Sequence, residues 1–268
     1  MRHNRTLLAI GSTAHSRIQN ANICIIGADP LGVEILKTFL LFGVNKISIF
    51  DDSPVNESDI KANMFLTNND IGKPKIPLLI QRMNKLNPSA SILNLEEKPN
   101  EKTIKEFTIL IITSHISFSK ICFYNILCRQ NQIGFAVCDT YSFSGFFFVD
   151  FGQDFLVENV NGKPPQKFRI QQISNSNPGI IRFTGKQLPD LPPDSFIHFE
   201  ELTSMTELNS IDKIHLHIED GIASIECDTT AFSPFDSFNP NGFAVQVKEP
   251  ILMHFSSYSD SLESPFYS

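Results

Sequence analysis

The stretch Asn22–Gly32, NICIIGADPLG, decides the fold class of the first half of the chain. Its apolar beginning, Asn22–Ile26, has the composition of a buried β-strand. The glycine loop Gly27–Gly32 then opens a segment whose apolar residues recur four apart as far as Gly43, which is typical of a helix that ends at a glycine. A strand, a glycine loop and a helix in this order indicate a nucleotide-binding α/β fold.

The same alternation of short apolar runs and longer periodic segments continues to about Phe151. It predicts an α/β domain with a doubly wound, Rossmann-like, mostly parallel sheet. Further strands are expected at Lys46–Phe50, Ser91–Leu95, Thr108–Ile112, Ile133–Cys138 and Phe146–Val149, and further helices at Ile76–Leu86 and Phe118–Asn131.

A different rhythm begins after Gly152, where short alternating segments are separated by turns. It predicts a small all-β, barrel-like domain, with a hairpin at Lys213–Asp228 that turns at Asp220-Gly221. The serine-rich end of the chain has no periodic apolar face and is expected to stay unpacked. The expected domains are therefore residues 1–152 and 153–255, followed by a tail over 256–268.

Composition excludes several classes of partner. The net charge of −7 comes without a lysine or arginine run, which argues against nucleic acid. The five cysteines form no C-x-x-C pair, so reduced thiols in a cytoplasmic or nuclear protein are expected. Residues Met1–Ile10 resemble neither a signal peptide nor a membrane span, so no membrane partner is predicted.

The glycine loop departs from a working phosphate loop at its middle position, which is Asp29. A carboxylate there adds bulk and negative charge where an anion would lie, so phosphate binding is expected to be poor. Asp51, at the end of the second strand, is placed to bind a ribose hydroxyl. Two interpretations stay open: a degenerate nucleotide site built on Gly27, Gly32 and Asp51, or a structural role in which Asp29 only caps the helix and Asp51 solvates a strand end.

Stretches along nearly the whole chain resemble, in order, those of eukaryotic ubiquitin-activating enzymes, which belong to the ThiF-type adenylating family. The resembling segments are His3–Thr6 (an arginine motif), Gly27–Gly32 (the loop), Asp51–Phe65 (an acidic segment), Asp70–Lys75 (a lysine segment), Cys138–Gly152 (the strand pair that ends the inactive adenylation domain) and the strands from Asn177 onward (the inserted first catalytic-cysteine half-domain). The resemblance implies an incomplete, inactive adenylation domain followed by that insert. It also implies that the thioester cysteine lies in a later half-domain, so Cys227 is not a nucleophile.

Departures from the family's active site form a consistent set. Asp59 and Ala62 stand where active members use an asparagine and an arginine to contact ATP, and Thr113–His115 stands where they use an aspartate to hold Mg²⁺. Lys75 alone matches the family's ATP-contacting lysine. The resemblance therefore implies that this chain binds no cofactor and that ATP and Mg²⁺ are held at a partner's site.

Arg5 is the residue to which the resemblance assigns a catalytic contribution. In the family this arginine crosses from the inactive half to the ATP of the active half, in trans. The expected protein is a pseudoenzyme that forms a heterodimer with an active adenylation subunit or domain and helps to hold ubiquitin or a ubiquitin-like protein. The alternative for Arg5 is a solvated terminal charge.

Three other functions remain open. An NAD(P)-dependent Rossmann oxidoreductase would share Gly27, Gly32 and Asp51. The others are a self-sufficient small adenylating enzyme and a truncated, inactive fragment of an activating enzyme. No metal site is predicted, because His215 and His217 lack a third ligand at diagnostic spacing and are expected on an exposed strand face. His115 is interpreted as a replacement at a position that has lost its role in catalysis.

Overall fold

The structure, a computed structural model, describes residues 4–185, 190–192 and 194–263. It divides into two compact units. The first comprises the described residues up to Phe155 and from Leu252 onward, and the second comprises those of Leu156–Ile251. Residues 153–155 and 252–255, expected in the β domain, thus belong with the first unit.

The first unit contains a six-stranded sheet in the order β3-β2-β1-β4-β5-β6. Neighbouring strands are parallel except for β6, which is antiparallel to β5. The predicted α/β fold with a Rossmann-like, mostly parallel sheet is confirmed. The strands are β1 (Asn22–Ile26), β2 (Lys46–Phe50), β3 (Ser91–Asn94), β4 (Ile109–Ile112), β5 (Gly134–Tyr141) and β6 (Ser144–Asp150), and the helices are α1 (Asn4–Asn20), α2 (Pro30–Phe42), α3 (Glu57–Ala62), α4 (Lys75–Met83), α5 (Phe118–Gln130) and α6 (Tyr258–Glu263).

The central strands are buried on both faces, which explains why they are continuous apolar runs. Ile23 and Ile25 of β1 face one core cluster with α2 and α4, whereas Cys24 and Ile26 face a second cluster with α5. Helices therefore cover both sides of the sheet. Gly43, which has φ 97°, ends α2 in a left-handed conformation that glycine adopts without strain.

Three helical segments differ from the sequence prediction. Helix α1 was not expected because its exposed residues form no apolar stripe, and Gly11 interrupts it with φ 79°. Helix α3 is only six residues long and depends on a capping box between Asn56 and Asp59 rather than on periodicity. Helix α4 ends at Met83, earlier than the predicted Leu86.

The predicted unpacked tail is wrong for Tyr258–Glu263, while residues 264–268 lie outside the described part of the chain. Tyr258 is 8% exposed, and its backbone N–H donates to Asn125 Oδ1 at 2.9 Å. Its ring lies 5.1 Å from the ring of Phe148 between centroids, in an edge-to-face arrangement. One buried aromatic residue thus docks a helix whose only other apolar residue, Leu262, is exposed.

The second unit contains a closed antiparallel barrel in the order β10-β11-β12-β9-β8-β13, which confirms the predicted all-β, barrel-like domain. The predicted hairpin is confirmed as well, and its two turn residues, Asp220 (φ 49°) and Gly221 (φ 80°), are both left-handed, as this type of turn requires. The barrel strands are β8 (Lys167–Ile173), β9 (Gly179–Phe183), β10 (Asp194–Glu200), β11 (Ile214–Glu219), β12 (Ile222–Ile225) and β13 (Phe243–Val247). The short strands β7 (Phe155–Val157) and β14 (Ile251–Met253), which each include the last or first residues of a unit, pair with each other outside the barrel.

No helix within the described residues combines the length and the apolar composition needed to cross a membrane.

Candidate functional site

The carboxyl ends of β1, β2, β4 and β5 enclose a cleft of about 460 Å³. Because α2 and α5 cover opposite faces of the sheet, the neighbouring strands β1 and β4 form a topological switch point, where ligands of open α/β sheets bind. The polar and charged side chains that line the cleft are Asp29, Asp51, Asp52, Ser53, Asn56, Ser58, Asp59, Lys75, Lys98, Ser114, His115, Asp139 and Thr140.

Both loop glycines are required by the fold itself. Gly27 has φ 117°, and a Cβ there would lie 2.4 Å from Thr113 Oγ1. A Cβ on Gly32 would lie 2.3 Å from the carbonyl oxygen of Gly27. Because contacts within the chain require both glycines, the two glycines by themselves do not indicate nucleotide binding.

Asp29 caps helix α2. Its Oδ1 accepts a hydrogen bond from the backbone N–H of Gly32 at 2.8 Å, and Pro30 follows in the first helical turn. Burial raises the pKa of Asp29, and the nearby carboxylates of Asp139 and Asp51 raise it further. A donor at the helix N-terminus, which would face a phosphate in a working loop, is therefore used by the chain's own carboxyl group.

Asp51 is also hydrogen-bonded within the chain. Its Oδ2 accepts from the backbone N–H of Ala28 at 2.6 Å, and its Oδ1 accepts from the backbone N–H and the hydroxyl of Ser53 at 2.8 and 2.5 Å. Both oxygens thus have partners in the chain. Asp51 thus joins the glycine loop to the end of β2, a structural contact that differs from the solvated strand end considered in the sequence analysis.

The positive charge of Lys75 is paired with carboxylates inside the protein. Lys75 is 3% exposed, and its Nζ lies 3.1 Å from Asp59 Oδ1 and 3.8 Å from Asp51 Oδ2. Asp59, also 3% exposed, accepts through Oδ2 from the backbone N–H of Asn56 at 3.0 Å. A buried ammonium requires a negative partner, and here two carboxylates of the chain supply it.

The opposite wall contains a carboxylate that sequence reasoning missed. Asp139, near the end of β5, lies 2.9 Å through Oδ2 from Nδ1 of His115. Thr113 is buried, and its hydroxyl donates to the carbonyl oxygen of Gly27 at 3.3 Å. Asp139 directly follows the predicted strand Ile133–Cys138 as Asp51 follows Lys46–Phe50, and this was the available signal. The cleft thus has more acidic than basic groups, which disfavours a polyphosphate.

The structure brings together four of the five predicted site residues, namely Gly27, Gly32, Asp51 and Lys75, at one edge of the sheet. Arg5 does not line this cleft among the described residues; it lies exposed on α1. His3, which belongs to the same predicted arginine motif, lies outside the described residues.

The cysteines do not provide an activated thiol. Burial is the main cause that raises the pKa of every one of them, to about 12 for Cys128. The same direction holds for Cys24, Cys122, Cys138 and Cys227. These thiols stay protonated at neutral pH and behave as small apolar groups.

Fold and cleft together define a class: a nucleotide-type α/β domain whose ligand-binding edge is occupied by its own carboxylates, followed by a β-barrel. A sequence profile of the ThiF family matches residues 3–177, and the chain belongs to the ThiF family. The family predicted from the sequence is thereby confirmed.

Three relatives are similar over almost the whole chain. Ubiquitin-activating enzyme E1 2 of Arabidopsis thaliana is 27% identical over 266 residues, covering 98% of this chain and 24% of that protein. Ubiquitin-like modifier-activating enzyme 1 of Oryctolagus cuniculus is 27% identical over 263 residues, covering 98% of this chain and 24% of that protein. Ubiquitin-like modifier-activating enzyme 7 of Homo sapiens is 28% identical over 265 residues, covering 98% of this chain and 26% of that protein. This chain spans about a quarter of the length of these relatives.

Proposed function

We propose that this chain is the non-catalytic half of a system that activates ubiquitin or a ubiquitin-like modifier. In this proposal it pairs with an active adenylation subunit or domain that holds ATP and Mg²⁺, and its barrel helps to hold the modifier. We place this function in the cytoplasm or the nucleus. The similarity to ubiquitin-activating enzymes supports the pathway, and the cleft supports the division of labour.

The observation that carries the proposal is the neutralisation of Lys75 by Asp59 and Asp51. Adenylation needs free cationic groups and backbone donors for the phosphates and a carboxylate that anchors Mg²⁺. Here the buried lysine already has carboxylate partners, and the N–H groups of Ala28 and Gly32 already donate to Asp51 and Asp29. Binding ATP would require breaking these contacts and placing phosphates beside carboxylates.

Arg5 supplies the proposed contribution to the partner. Its exposed position on α1 is compatible with reaching a second protein. An arginine given in trans stabilises the charge that develops on transferring phosphoryl groups, and its removal typically lowers the rate on the order of 10³-fold. We therefore expect Arg5→Ala to slow adenylation by the assembled pair without preventing assembly.

The experiment begins with purification of the tagged chain from its own cells and identification of the adenylation-competent partner by mass spectrometry. ATP–pyrophosphate exchange is then measured for the reconstituted pair and for the partner alone. The proposal expects faster exchange by the pair, a large loss with Arg5→Ala, and little change with Lys46→Ala, an exposed cation at the start of β2. Equal exchange with and without this chain would contradict it.

An oxidoreductase would behave differently in a direct titration. We expect no change in NADH fluorescence when the chain is added, because the carboxylate of Asp29 takes the Gly32 donor that would face the dinucleotide phosphates, and Asp51 already accepts three hydrogen bonds within the chain. Saturable NADH binding would favour the oxidoreductase over the proposed role.

A further inference from the structure

A compact group of metal-binding side chains lies on one face of the hairpin formed by β11 and β12. His215 and His217 are separated by one residue in β11, so their side chains point to the same face. The backbone N–H of Glu226 donates to the carbonyl oxygen of His215 at 3.0 Å, which places Glu226 directly across from this histidine. Nitrogen and oxygen atoms of the three side chains lie within 4.8 Å of one another.

Glu226 is the third metal-binding type of side chain in this group, and spacing along the chain did not reveal it. It follows His217 after a turn and belongs to the neighbouring segment, and only the antiparallel register brings it back to His215. A third candidate ligand, which spacing along the chain does not show, thus lies beside the two histidines in the folded chain.

One ligand-to-ligand distance already matches that of a metal centre. His215 Nδ1 and Glu226 Oε2 are 3.4 Å apart, and the imidazole of His217 packs beside that of His215 with ring centroids 4.0 Å apart. Two ligands bound at about 2.0–2.1 Å to a tetrahedral ion lie roughly 3.4 Å from each other. Small side-chain rotations on this face would thus bring all three groups around one ion.

Neighbouring groups hold the first histidine in place. The ring of Phe196 stacks on that of His215, with centroids 4.7 Å apart and an angle of 19° between the planes. The cation of Lys213, two residues before His215, lies 3.7 Å from the centroid of the Phe196 ring and contacts Glu249. The positive charge of Lys213 is therefore partly balanced by Glu249 and the Phe196 ring rather than by Glu226. The stacked Phe196 ring also favours one orientation of the His215 side chain.

We propose that His215, His217 and Glu226 bind one divalent transition-metal ion of the Zn²⁺ type, with water completing the coordination. Two imidazoles and one carboxylate suit Zn²⁺ and its neighbours, whereas Mg²⁺ and Ca²⁺ prefer oxygen ligands alone. The ion links β11 to the segment after β12 and stabilises the hairpin, since an ion that binds only the folded state raises its stability. The inference does not depend on the proposed role in modifier activation.

The test is a titration of the full chain, without a polyhistidine tag, with Zn²⁺ and separately with Mg²⁺, followed by calorimetry. We expect one Zn²⁺ per chain, a higher melting temperature with Zn²⁺, and no binding of Mg²⁺. His217→Gln and Glu226→Gln each remove one ligand from the hairpin face and should weaken Zn²⁺ binding more than about tenfold. Circular dichroism would check that both variants fold.

Two controls separate this site from other ligands. His198→Gln removes another histidine of the barrel, one that lies 3.1 Å from Glu200, and should leave the affinity unchanged. Cys227→Ser removes the thiol next to Glu226 and should also leave it unchanged. With Co²⁺, absorption bands without thiolate charge transfer are expected. Absence of Zn²⁺ binding, full binding by His217→Gln or Glu226→Gln, or loss of binding in either control would overturn the proposal.

Discussion

Replacing Asp59 by asparagine tests whether the chain's own carboxylates neutralise Lys75. Asparagine keeps the shape and one acceptor for the N–H of Asn56 but removes the charge 3.1 Å from Lys75 Nζ. Removing one partner of a buried ion pair typically costs about 3–5 kcal/mol. Because Asp51 Oδ2 remains 3.8 Å from the ammonium, we expect the lower end, about 3 kcal/mol.

For a unit of this size that loss corresponds to a melting temperature lower by roughly 6–12 °C. The loss should be measured in the first unit by itself, because the two units need not unfold together. Hydrogen exchange of peptides from β1 to β4, recorded at increasing temperature, reports the unfolding of that unit. Asp52→Asn is the matched control: it makes the same change at an exposed residue of the same cleft, and we expect an effect within about 0.5 kcal/mol.

The double variant Asp59→Asn with Lys75→Met should recover most of the lost stability, because it also removes the uncompensated charge. If Asp59→Asn were no more destabilising than Asp52→Asn, or if the double variant were as unstable as the single one, the reasoning about this pair would be refuted.

Two further predictions concern the helix cap and the last helix. Asp29→Asn keeps the acceptor for Gly32 N–H and removes a carboxylate whose pKa is raised in the folded protein. A raised acid pKa means that folding stability is lost as the pH rises above the ordinary value of about 3.9. This variant should therefore melt at a higher temperature than the parent at pH 7, and the difference between the two melting temperatures should narrow toward pH 4. An unchanged or lower melting temperature at pH 7 would contradict the raised pKa. Tyr258→Ala should lower the unfolding free energy of the first unit by about 3 kcal/mol, measured by denaturant unfolding, because it removes the buried ring that docks α6 against Phe148. Leu262→Ala, at an exposed position of the same helix, is the control. A loss of unfolding free energy no larger than that of Leu262→Ala would show that the helix does not pack.

The strands of the first unit could be predicted because burial on both faces demands apolar residues at consecutive positions, as in Cys24 and Ile25. Helices α1 and α6 could not, because neither carries a periodic apolar stripe. Helix α1 is mostly exposed, and α6 is held by the single aromatic residue Tyr258. Their positions depend on tertiary contacts rather than on local pattern.

The candidate site could be located from sequence but not interpreted fully. Asp29 and Asp51 were recognised, yet only the backbone geometry shows that they accept from Gly32 and Ala28. The pairing of Asp59 with Lys75 joins two helices, and no spacing rule predicts it. Asp139 and Glu226 were missed for the same reason, since each comes from a strand segment beside the residues it accompanies.

The most direct test of the central claim is a calorimetric titration of the isolated chain with Mg·ATP, together with ATP–pyrophosphate exchange. If the cleft is occupied by its own carboxylates, neither saturable binding in the micromolar range nor exchange should be observed. Micromolar binding of Mg·ATP with formation of an acyl-adenylate by this chain alone would contradict the account.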